Sequence, residues 1–74
     1  MNRHRVVALT PGHVYTIHLV RFLTDEQAKD LMDKSVNKAN SMIPTDIQEL
    51  VVYREIFHLN GITKDQKEVG RRHA

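Results

Sequence analysis

The run Ile47-Gln48-Glu49-Leu50-Val51-Val52-Tyr53-Arg54-Glu55-Ile56-Phe57-His58-Leu59 reads two ways, and the architecture turns on which one holds. Val51-Val52-Tyr53 and Ile56-Phe57 are β-branched and aromatic, which suits a strand. The flanks argue the other way. Thr45 with Gln48 has the Thr-x-x-Gln spacing of a capping box, and Asn60-Gly61 has the composition of a helix stop. Weighted toward those boundaries, the run is expected to be a helix over 46–59, apolar around most of its circumference and therefore buried or used for docking.

Upstream, Pro44 ends or interrupts the clearest element of the chain. Thr24 with Gln27 forms a capping-box pattern, with Asp25 and Glu26 in the first turn where the helix dipole favours negative charge. Ala28, Leu31, Met32, Ser35, Ala39 and Met42 then fall at helical spacing, and Asp25/Lys29 and Asp30/Lys34 are i,i+4 pairs of favourable polarity. A helix over 25–41 is predicted. Further back, Val6-Val7-Ala8-Leu9 and Val14–Phe22 flank Thr10-Pro11-Gly12-His13, a β-hairpin pattern in which Pro pre-sets one turn residue and Gly supplies positive φ. Strict alternation in the second run places Tyr15, Ile17 and Leu19 on one face and Thr16, His18 and Val20 on the other.

Downstream, residues 62–74 are polar and charged with few apolar positions, and read as a flexible, disordered basic tail. The expected fold is thus a small single α+β domain over 1–61, an N-terminal β-hairpin followed by two helices (ββαα), with the tail over 62–74.

The 74 residues contain no cysteine, so disulfides and thiolate metal sites are excluded and a reducing compartment is expected. The basic start Met1-Asn2-Arg3-His4-Arg5 leads into only four apolar residues, too few for a secretory signal, and no apolar run reaches membrane-span length. The cytoplasm is the expected location, with no membrane partner. The net charge of +2 is unevenly spread. Residues 1–22 hold Arg3, Arg5 and Arg21 with no acid; residues 23–59 are net acidic; the last fifteen are basic again. Such asymmetry steers a chain toward an anionic partner surface.

Catalysis finds no support in the residue pattern. The histidines at 4, 13, 18, 58 and 73 show no metal-ligand spacing, Ser35 and Ser41 lie in no nucleophile motif, and the three glycines are scattered, so no metal, cofactor or small-molecule substrate is expected. Binding a macromolecule is the better expectation. A strand followed by two helices resembles the dimeric ribbon-helix-helix DNA-binding repressors, with 15–22 as ribbon, although Thr16, His18 and Val20 offer little readout of base edges. Protein binding fits with less strain: Arg3, Arg5, Val6 and Val7 would combine charge steering with apolar contact at a hairpin edge. Reversing Arg3 and Arg5 to Glu is expected to abolish that binding and spare the fold.

In length and overall character, including its Arg3-His4-Arg5-Val6-Val7 start and Val14–Phe22 strand, the chain resembles the small RNA-polymerase-binding transcription regulators of Xanthomonas lytic phages. The resemblance implies a partner, bacterial RNA polymerase, contacted at the β′ amino-terminal region and the β flap with nucleic acid nearby. It also implies inhibition of σ-dependent initiation and promotion of antitermination.

Overall fold

The structure, a computed structural model, describes residues 2–58 and 64–74. Its elements are β1 (Asn2–Thr10), β2 (His13–Arg21), α1 (Asp25–Lys34), α2 (Val36–Met42), β3 (Glu49–Phe57) and β4 (Lys64–His73). The four strands form one antiparallel sheet in the order β2-β1-β3-β4.

The expected ββαα order is therefore overturned: the chain runs ββααββ, with the helices in the middle. The 46–59 helix is strand β3, and the backbone shows why its start signal fails. The Gln48 N–H, which a capping box would hold in a first helical turn, donates instead to the Leu9 carbonyl at 2.8 Å. Leu50-Val51-Val52, apolar at every position, is what an interior strand buried on both faces looks like. The same continuity looked like a helix with no polar side. The Asn60-Gly61 stop lies outside the described residues.

The disordered tail is overturned as well. Residues 64–73 pair with β3 from Phe57↔Lys64 to Glu49↔His73. Their charge is not surplus: Arg72 reaches Asp33 at 3.1 Å, and Arg71 bridges Glu49 and Glu68. A charged outer strand is how sheets avoid edge-to-edge association.

The hairpin is present, closed at Thr10↔His13 by Pro11 and Gly12, the latter with φ +79°. Its simple alternation is not. A bulge between Val6 and Val7 leaves Ile17 without a register partner, so Tyr15 pairs with Ala8 while His18 pairs with Val6. Tyr15 and His18 consequently share the helix-covered face, and Leu19, opposite Arg5, is exposed.

The predicted 25–41 helix forms as two. Thr24 makes the full capping box with Gln27, and Leu23 and Ala28 join the core on either side of it as a hydrophobic staple. The break falls at Ser35, whose hydroxyl donates back to the Leu31 carbonyl at 2.6 Å and competes with the helix ladder. Ile43, preceding Pro44, is extended, as its neighbour requires. Both helices lie on one face of the sheet, where Val6, Ala8, Leu50 and Val52 meet Ala28, Met32 and Ala39.

The other face carries no helix among the described residues. Val7 and Val51 sit at its centre, adjacent across β1 and β3, and are buried nonetheless. Around them stand Arg3, Arg5 and Leu9 from β1, Tyr53, Glu55 and Phe57 from β3, and Leu19 and Arg21 from β2.

Candidate protein-binding surface

The four residues expected to contact a partner all lie on β1, and β1 is an interior strand with both of its edges hydrogen-bonded. It offers no free edge. Val6 and Val7 are fully enclosed, one on each face of the sheet. Arg3 and Arg5 are on the helix-free face, where each guanidinium approaches Glu55, at 2.8 and 3.3 Å. The Glu55 side chain is wholly buried and also accepts from Gln66. Arg3 lies over the Phe57 ring, 4.2 Å from its centroid, and Arg5 donates to the Thr16 hydroxyl. These arginines hold the sheet's own acid, and their charge is largely spent within the fold.

His4 and His18 lie on neighbouring strands, and His58 and His73 lie at opposite ends of the β3–β4 pair. Among the described residues no group of three or more metal-ligating side chains forms. His4, buried, is 2.8 Å from Asp25, which also accepts from Arg54 at 2.7 Å, and together these tie β1 and β3 to the start of α1. The His4 hydrogen bond, ahead of Arg54, holds the Asp25 carboxyl below its ordinary range.

One contact was invisible in sequence: His18 lies 2.9 Å from the Ser35 hydroxyl. The proton arrangement is the wrong way round for a nucleophile. Because Ser35 donates to the Leu31 carbonyl, its oxygen accepts from His18 Nε2–H, so the imidazole donates where a general base would have to accept. Burial first, and then Lys38, push His18 below its ordinary pKa, which favours this neutral form. Ser35 is itself buried, and the pair serves to dock β2 against the helix break.

Most of the exposed large apolar side chains lie on or near β2. Val14, Leu19, Phe22 and Met42 are exposed there, and Ile56 on β3 is the marginal exception. Phe22 is the extreme case, 95% exposed and with φ +65°, a left-handed conformation that is unusual for a bulky residue. The reversal has a local cause. It lets Leu23 turn into the core and Thr24 cap α1 directly after β2 ends, and it leaves the Phe22 ring outside. Arg21 beside it is exposed and makes no ion pair among the described residues. Along the other side of β2, Tyr15, Thr16 and Ile17 line an open groove with Ala39, Met42 and Ile43, of about 180 Å³. The signal for Phe22 lay in the sequence, as a large aromatic between a strand and a capping box, but only the backbone shows that its ring faces outward.

Among the described residues no helix is long and apolar enough to cross a membrane. No protein-family model matches the chain, and neither a curated protein nor a solved structure is found to resemble it.

Proposed function

We propose that this chain is a phage-type transcription regulator that works in the host bacterial cytoplasm by binding RNA polymerase, inhibiting σ-dependent initiation and promoting antitermination. The reading joins its likeness in length and character to phage polymerase-binding regulators with one structural observation, the Arg21–Phe22 corner. An aromatic ring held outside the fold at a strained backbone position, next to an exposed arginine with no ion pair among the described residues, has the composition of an interface anchor, since aromatic residues and arginine dominate binding hot spots. The contact is thereby shifted from Arg3 and Arg5 to Arg21, the third arginine of the acid-free segment 1–22. The polymerase surfaces proposed are the β′ amino-terminal region and the β flap.

The ribbon-helix-helix alternative loses its second helix to β3. It is not carried further. The test is capture of purified bacterial RNA polymerase core enzyme, coupled to run-off transcription from a σ-dependent promoter and read-through of an intrinsic terminator. The wild-type chain is expected to be retained, to lower run-off and to raise read-through. Phe22→Ala is expected to weaken capture by about 30-fold, the loss of a hot spot of about 2 kcal/mol. Failure of the wild-type chain to retain polymerase at micromolar concentration overturns the reading.

A further inference from the structure

The two outer strands of the sheet are unlike each other. β4 carries a formal charge at six of its ten positions, Lys64, Asp65, Lys67, Glu68, Arg71 and Arg72. β2, nine residues long, has Arg21 at its end as its sole formal charge, no acid and no proline. A long, weakly charged edge strand is a template for pairing with another chain, and proteins normally blunt one with charge or proline.

The direction of the free backbone groups follows from the hairpin. The Leu9 carbonyl accepts from Gln48, so it points away from β2. Its cross-strand partner Val14 must by the same alternation point its own N–H and C=O groups away from β1, to the open edge. Immediately beside that edge lies the groove between β2 and α2, with Met42 on its lip. Apolar cavities of about 150 Å³ hold a benzene ring, so a groove of about 180 Å³ takes one leucine or phenylalanine side chain.

We propose that the free edge of β2 accepts an extended acidic-apolar segment of a partner protein as a fifth strand, with one apolar side chain in the Tyr15–Ile17–Ala39–Met42–Ile43 groove and a carboxylate at Arg21. Backbone hydrogen bonds supply affinity in this mode, and the groove and the arginine supply selectivity. A second copy of this chain is the poorer occupant. A symmetric antiparallel β2–β2 pair brings Arg21 of one copy toward His13 of the other, with no acid on either strand. The edge docking goes beyond the polymerase reading and stands without it.

The probe is a capped eight-residue peptide alternating glutamate and leucine, titrated into the full chain labelled with ¹⁵N. The expected result is amide shifts over residues 13–21 and 39–43, none over 65–73, and at least tenfold weaker binding of the same peptide with lysine replacing glutamate. Two variants bear on the site. Val14→Pro removes one outward N–H, and Met42→Asp places a like charge on the groove lip; each is expected to weaken the peptide at least tenfold. Met42→Asp changes only an exposed helix-end side chain, so it is informative even if Val14→Pro fails to fold. Absence of shifts, shifts along β4, equal binding of the lysine peptide, or a doubled mass in sedimentation without peptide overturns the proposal. Polymerase capture separates the two readings: retention of polymerase without peptide binding sinks the edge proposal alone, and peptide binding without retention sinks the polymerase reading alone.

Discussion

Replacing Glu55 with alanine tests whether the helix-free face is held together by its own ion pairs. The carboxylate is fully buried and takes Arg3, Arg5 and Gln66 as partners, while the two arginine side chains are 18% and 25% exposed. Removing one member of a buried pair costs about 3–5 kcal/mol, because the remaining charge is left uncompensated. Both guanidinium groups still reach water here, so the loss belongs at the lower end, about 3 kcal/mol. A 74-residue chain has roughly 4–11 kcal/mol of stability at the usual 0.05–0.15 per residue. The substitution therefore removes a large share of it and lowers Tm by roughly 12–24 °C at 4–8 °C per kcal/mol. Thermal and urea unfolding followed by circular dichroism measure this directly. Glu55→Gln, which keeps an acceptor oxygen for Arg3, should lose about half as much, and a double-mutant cycle with Arg3→Ala should show coupling above about 1 kcal/mol. A Glu55→Ala protein melting within about 4 °C of wild type would refute the account and return Arg3 and Arg5 to the pool of free contact residues. The Arg3→Glu, Arg5→Glu double variant changes meaning accordingly. It sets three carboxylates together on two interior strands, so lost binding would report lost folding; Arg21→Glu is the clean charge reversal.

A chain ending at Thr63 removes β4 and leaves β3 unpaired on one side, so it should unfold or aggregate in size-exclusion chromatography; a soluble monomer with unchanged Tm would show that 64–73 is a dispensable tail after all. His18 has its folded pKa pushed below the ordinary 6.5 by burial and then by Lys38, so its proton binds the unfolded chain better. Its contribution is intact above about pH 6.5 and is lost as pH falls below that value. Urea midpoints between pH 8 and pH 5 should decline less in His18→Gln than in wild type, and parallel declines would exclude His18 as the cause. Gly70→Ala places a Cβ 2.7 and 2.9 Å from the Lys29 Cγ and Cδ and 3.1 Å from Val52 Cγ1. Lys29 can swing aside but buried Val52 cannot, so a loss of about 1–3 kcal/mol is expected by urea unfolding, and a neutral result would show that β4 shifts freely.

What was readable in the sequence was local. Pro11-Gly12 between β-branched runs specified the hairpin, and Thr24 with Gln27 specified the start of α1, because turn and cap chemistry act over three or four residues. The errors arose where a segment's state depends on distant partners. Leu50-Val51-Val52 is a strand because β1 and β4 flank it, and a run apolar at every position has neither helical nor alternating period. Residues 64–73 looked too polar to fold, yet an outer strand needs few apolar side chains when its charges meet Asp33 and Glu49. At the candidate surface, the positive segment was legible and its geometry was not. Glu55, some fifty residues from Arg3 and Arg5, claims their charge, and nothing between them in sequence announces it.

The central place of β1 also sets the order of events during synthesis. Val6-Val7-Ala8-Leu9 can pair with β2 almost at once, but its other side waits for β3, which is complete at Phe57, 36 residues beyond Arg21. At roughly 5–20 residues per second, the nascent hairpin spends about 2–7 s with an apolar edge uncovered. β2's own edge stays open throughout, so the emerging chain is for that interval a two-sided strand acceptor. Expression at high ribosome density should therefore favour aggregates built through the 2–21 hairpin, and slower initiation should raise the soluble yield.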